Sequence, residues 1–192
     1  MAEHGASNLP LPALPALPAL PALHGVSARA LDTINVLALR HLPGGQNALL
    51  VAVQSVGFDV LPPPGHFIGT DPWLMWRSAT EYVLITTRAE HAQGLLGTLA
   101  PGMNALACTI EQSAGIWPLE FTGAGIDALF ACLADAQSMP RHPGQGRSLR
   151  LVDIAVVMLR LAPERLLLLA DRAHGPYLVH WLEHLARPGV ES

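Results

Sequence analysis

MWRSATEYVLITTRAEHAQGLLGTL, residues 75–99, slides without a gap onto MLRLAPERLLLLADRAHGPYLVHWL, residues 158–182. At this offset of 83 positions Met75 meets Met158, Arg77 meets Arg160, Glu81 meets Glu164, Leu84 meets Leu167, His91 meets His174 and Leu95 meets Leu178. Each copy reads as an apolar run, a short polar break, a second apolar run and a helical stretch. The breaks are Ala79-Thr80-Glu81 and Ala162-Pro163-Glu164. Two such copies predict an α+β protein of two related strand-turn-strand-helix halves, with antiparallel-rich sheets and helices on one face. Arg77 and Arg160, and Glu81 and Glu164, are then expected to superpose, with both glutamates at hairpin turns.

Outward from the repeat, Ala92, Leu95, Leu96 and Leu99 recur at helical spacing before Pro101-Gly102, which gives a helix near 89–99 one apolar face. A matching helix is expected over about 175–186. Residues 105–121 read as a strand with a bulge at Ser113 to Gly115, and Thr122-Gly123 opens a helix carrying Ile126, Leu129, Phe130 and Leu133 on one side. Residues 149–161 are apolar on both faces, as a central strand would be. From Ile110 on, the order strand, helix, strand, strand, helix is most of a ferredoxin-like unit. Upstream, residues 30–42 fit either a first strand or a short helix. Residues 48–53 and 56–61 are apolar, and Pro62-Pro63-Pro64-Gly65 closes them.

The stretch LPLPALPALPALPAL, residues 9–23, lacks an amide donor at every proline and favours extended polyproline II. The expected organisation is a disordered Pro/Leu/Ala-rich leader over 1–29, a first half over 30–104, a second half over 105–187 and a tail over 188–192.

Composition excludes several classes. The net charge is −4 with no Lys/Arg cluster, against nucleic-acid binding. No apolar run approaches the roughly 20 residues needed to span a bilayer, and no basic residue precedes Arg29 as a signal peptide requires. Cys108 and Cys132 are too few for a disulfide framework and lack metal-ligand spacing, so both read as reduced thiols in the cytoplasm. Charged residues are 14% and hydrophobic ones 51% of the chain, with a mean hydropathy of +0.34. A chain so poor in charge points to apolar surface that a protein partner covers.

Three motifs suggest chemistry and are outweighed. Gly123-Ala124-Gly125-Ile126-Asp127-Ala128 fits G-x-G-x-x-A between a strand and a helix, but no acidic residue ends a following parallel strand, so it reads as a tight helix start. His180-Trp181-Leu182-Glu183-His184 fits H-x-x-E-H; its histidines fall opposite the stripe of Leu178, Trp181, Leu182 and Leu185, facing outward without a third ligand. Asp153 is an acid in an apolar strand, costly to ionise without a partner such as Arg150 or a ligand amine; a strand-end carboxylate satisfied by a loop is the simpler role. Ser113 lacks a nucleophile elbow and neither cysteine pairs with a histidine. No catalytic, cofactor-binding or metal residue is therefore assigned.

The stretches VGFDVLP (56–62), WLMWRSATEYVLIT (73–86), EQSAGIWPLEFTGAGIDALFACLA (111–134) and LVDIAVVMLRLAPERLLLLADRAHGPYLVHWLEHLA (151–186) resemble, in order and spacing, the gamma subunits of heterotetrameric sarcosine oxidases. These belong to the folate-binding aminomethyltransferase-like superfamily. The resemblance implies a non-catalytic small subunit packed against large flavin-containing subunits that oxidise the N-methyl group of sarcosine. It also implies that FAD, FMN, NAD, tetrahydrofolate and zinc are held by the partner subunits and none by this chain. The full-length aminomethyltransferases are longer, and their catalytic acid follows a Gly-Gly turn that the comparable stretch Arg147 to Asp153 lacks. The alternative is a free-standing folate-binding aminomethyltransferase-like protein that uses the groove between its halves.

Overall fold

The computed structural model describes residues 25–31, 34–99, 106–135 and 137–185. In chain order the elements are β1 (Ser27–Ala30), β2 (Asn35–His41), α1 (Gln46–Gln54), β3 (Phe67–Ile68), β4 (Trp73–Ser78), β5 (Glu81–Thr86), α2 (Ala89–Thr98), β6 (Ala107–Glu111), β7 (Ile116–Thr122), α3 (Ile126–Ala131), β8 (Gly146–Leu151), β9 (Ile154–Ala162), β10 (Arg165–Asp171) and α4 (Gly175–Leu185). They build two five-stranded sheets, β3-β4-β5-β2-β6 and β1-β7-β10-β9-β8. Every strand pair in both is antiparallel.

The sheets stack face to face, and each carries its helices on the outer face. Strand periodicity explains why. Successive side chains point to opposite faces, and here both faces are apolar: on β10, Leu166, Leu168 and Ala170 join α3 and α4, while Leu167 and Leu169 join the layer between the sheets. On β5, Tyr82 and Leu84 face α1 and α2, while Val83 and Ile85 face the other sheet. This two-sided burial absorbs much of the apolar composition. Among the described residues six large hydrophobic side chains are exposed.

The repeat is real, with a correction to its register. Met75 pairs with Val83 across the β4–β5 turn, and Leu159 pairs with Leu167 across the β9–β10 turn. Leu159 is thus the counterpart of Met75, and both lie between the sheets. Met158 faces the helices instead. Arg77 likewise corresponds to Leu161, and Glu81 to Arg165, so the expected superposition of Arg77 on Arg160 and Glu81 on Glu164 does not occur. Glu164 does stand in its hairpin turn, whereas Glu81 is the first residue of β5. One residue of slip exchanges the two faces of a strand. The helices return to the original offset: Ala92 and Leu95 are buried on α2 as Gly175 and Leu178 are on α4.

Three further expectations change. Residues 27–29, assigned to the leader, are strand and pair with β7; the extended residues 9–23 lie outside the described residues. The stretch expected as one bulged strand is, over its described residues, two strands in different sheets, β6 and β7, and Ser113–Gly115 is a 3-10 turn carrying the chain from one to the other. β6 therefore completes the first sheet and β1 the second, so each half gives its opening strand to the other's sheet. Residues 149–161 form a hairpin, because Val152 adopts a left-handed backbone (φ 53°) that turns the chain. The ferredoxin-like order itself is kept: β10 lies between β7 and β9, β1 lies beside β7, and β8 is added at the edge beyond β9.

Candidate functional site

The stacking leaves a groove of about 710 Å³ between the two sheets. The β8–β9 hairpin lines it with Ser148, Leu149 and Arg150 on one strand and Ala155, Val156 and Val157 on the other, where Ser148 pairs with Val157 and Arg150 with Ala155. The floor is apolar, with Val36, Val83, Val157 and Leu169, and charges of both signs stand at the rim, with Arg77, Arg150, Glu111 and Asp171.

Each rim charge has local work. Arg77 Nη1 donates to Glu81 Oε1 at 2.7 Å, and Arg40 Nε donates to Glu81 Oε2 at 2.7 Å. Arg150 Nη2 donates to the carbonyl of Asp153 at 2.6 Å. Glu111 Oε1 accepts from the Ser113 amide at 2.7 Å, and Ser113 Oγ accepts from the Val36 amide at 2.8 Å. Asp171 Oδ1 accepts from the Ala173 amide at 2.8 Å, closing the turn into α4. These bonds set the groove's shape. They leave an apolar cleft of small-molecule size with polar groups at its mouth.

The residues singled out in the sequence lie elsewhere. Gly123 has φ 133°, and a Cβ there would stand 1.9 Å from the carbonyl oxygen of Gly25. Its amide donates to Glu164 O at 2.9 Å. The glycine serves close packing of β1 and the β9–β10 turn against the end of β7, in an antiparallel sheet without the parallel crossover of a dinucleotide site. His180, Glu183 and His184 lie on the exposed side of α4, opposite the buried Leu178, Val179 and Leu182. Asp153 is exposed in the β8–β9 turn rather than inside a strand, and Arg150 engages its carbonyl, not its carboxylate. Cys108 is half-buried on β6 and Cys132 is exposed after α3. Among the described residues no group of three His, Cys, Asp or Glu gathers for a metal.

Two buried ions were missed. Glu120, 4% exposed, sits between Arg29 and Arg165 and accepts from each Nε at 2.6 Å. Burial alone would raise its pKa, but the hydrogen bonds and charges of Arg165 and Arg29 outweigh that and hold it below the usual glutamate range. Arg160, also 4% exposed, reaches Asp127 on α3: Nη2 donates to Oδ2 at 3.2 Å, and Nη1 stands 3.1 Å from Oδ1 without hydrogen-bond geometry. Their signal was a lone charge inside an apolar strand, IWPLEFT and IAVVMLRLA. The groove had no such signal, because its lining comes from eight strands and a turn.

This architecture defines the class: an aminomethyltransferase-like α+β fold of two interleaved halves. The solved heterotetrameric sarcosine oxidase from Corynebacterium sp. U-96, in complex with pyrrole 2-carboxylate, contains a chain similar to this one, with a TM-score of 0.73 at 21% identity over 85% of this chain and 84% of that chain. The glycine cleavage system aminomethyltransferase T from Bartonella henselae is similar with a TM-score of 0.60 at 13% identity, over 82% of this chain but 45% of its own length. No protein-family model and no curated protein sequence matches the chain.

Proposed function

We propose that this chain is the small, gamma-type subunit of a heterotetrameric sarcosine oxidase, which contributes to oxidative demethylation of sarcosine by packing against the large flavin- and folate-binding subunits. The observation that carries this reading is the extent of the likeness: 84% of a sarcosine oxidase chain is matched, against 45% of the aminomethyltransferase. FAD, FMN, NAD, tetrahydrofolate and zinc belong to the partner subunits on this reading. The test is co-expression of the tagged chain with the large sarcosine oxidase subunits of the same organism. Capture of a yellow, sarcosine-oxidising complex containing this chain in fixed stoichiometry is expected. A complex that assembles and turns over fully without it overturns the proposal.

The groove of about 710 Å³ favours a second reading, a free-standing folate-binding aminomethyltransferase-like protein. Saturable tetrahydrofolate binding by the isolated chain, measured by calorimetry, would select it over the first.

A further inference from the structure

The two halves dress their exchanged strands differently. On the second sheet, the β1 side chains that share a face with the inter-sheet layer are Ser27 and Arg29: they pair with Thr122 and Glu120, and this end of the sheet is closed by hydrogen bonds and the Arg29–Glu120–Arg165 cluster. On the first sheet, alternation along β2 puts Val36, Ala38 and Arg40 on the inter-sheet face, and Ala38 pairs with Ile110 and Arg40 with Cys108. The same position on β6 is therefore apolar. The ladder continues through Leu42 N to Leu106 O at 2.8 Å. Leu42, Leu106 and Ile110 are 58%, 42% and 37% exposed, half of the six exposed large hydrophobic side chains. A hollow of about 570 Å³ opens among Leu42, Leu106, Cys108 and Arg40.

Beside this strip, Arg40 and Arg77 share the single carboxylate of Glu81, so the cluster holds one positive charge in excess, and Arg40 is half exposed. Resting on the reading of this chain as an oxidase subunit, we infer that the inner face of β6 with Leu42 and Leu106 is where it docks on a large subunit, and that the large subunit presents an apolar segment flanked by a carboxylate. The apolar strip supplies the desolvated centre of the contact and Arg40 its polar rim.

The two free thiols give the test. Cys108 lies on the strip and Cys132 lies away from it, exposed after α3. In the co-purified complex, maleimide labelling of Cys108 should be about tenfold slower than in the free chain, as for a group walled off from water, while Cys132 keeps its rate. Ile110→Asp and Arg40→Glu should lower recovery of the large subunits; Arg40→Lys and Val60→Asp, the latter an exposed apolar position elsewhere, should not. Circular dichroism of each variant separates loss of docking from loss of folding. If the wild-type complex forms with Cys108 labelled at its free rate, or if Ile110→Asp folds and docks unchanged, the surface is wrong and the subunit reading stands. If the wild-type chain captures no large subunit, the subunit reading fails and this surface with it.

Discussion

The carbonyl oxygen of Gly25 occupies the space that a β-carbon on Gly123 would need, 1.9 Å from its ideal position. The contact is backbone against backbone, so no side chain can rotate away to relieve it. Gly123 also has φ 133°, a conformation that L-residues seldom adopt.

Gly123→Ala should therefore destabilise the protein by roughly 2–3 kcal/mol, combining backbone strain with displacement of β1. Urea denaturation of the two proteins measures it. A loss within error would show that β1 yields freely. Gly97 is a useful comparison: it lies in α2 with open space around its Cβ position, so Gly97→Ala should stabilise by a few tenths to about 1 kcal/mol through helix propensity.

Glu120 gives a prediction with a definite sign in pH. Its folded pKa is lowered by Arg165 and Arg29 against the opposing effect of burial, so its ionised form stabilises the fold. That contribution is complete above the ordinary glutamate value, about 4.3, and is lost as pH falls through the lower folded value. Glu120→Gln should cost about 1–3 kcal/mol at neutral pH, at the modest end for a buried pair because both arginines are solvated. The gap between the two proteins should be flat from neutral pH downward and narrow only in the acid region. A gap that widened on acidification would contradict the assignment.

At Arg160 and Asp127 the two partners differ in exposure, 4% and 51%, and this breaks the symmetry of the pair. Removing Asp127 leaves a buried guanidinium without its counter-ion, whereas removing Arg160 leaves a carboxylate that water can solvate. Asp127→Ala should cost about 2 kcal/mol, while Arg160→Met should fall within about 1 kcal/mol of the wild type in either direction. Equal losses for both would mean that the pair acts as an ordinary salt bridge.

Which parts of this fold were legible follows from how local their causes are. The helices over 89–98 and 175–185 were readable because their apolar residues recur within one element. The hairpins were readable too, since each has a polar break between two apolar runs. Their register was not: Met75/Met158 and Arg77/Arg160 match in identity but sit on opposite faces, and identity carries no face label when both faces of a strand are apolar. The exchange of β1 and β6 was hidden because a strand's sequence does not name the sheet it joins. The groove was hidden for the same reason, since Glu111, Arg150 and Asp171 come from three separate strands. The outward placement of His180 and His184 was legible from their 100° spacing alone.

The layer between the sheets decides how the molecule unfolds. Val36, Met75, Val83 and Ile85 come from the first sheet, and Val157, Leu159, Leu167 and Leu169 from the second, in one continuous cluster. Met75 also fills the space above Gly146, where a Cβ would stand 2.9 Å from its Cγ. Hydrogen bonds tie the sheets at the same corner, from Gly146 N to Gly65 O at 3.0 Å and from Phe67 N to Gly144 O at 2.9 Å. Neither half keeps this face dry alone, and each lacks the strand the other supplies, so thermal unfolding should be one cooperative transition. Leu167→Ala removes side-chain volume from the shared layer of a fully buried position and should cost about 2–5 kcal/mol. It should lower the single transition without splitting it, as followed by calorimetry. Two resolved transitions in the wild type, or a Leu167→Ala scan in which one half melts and the other keeps its midpoint, would show that the halves fold independently and that strand exchange does not couple them.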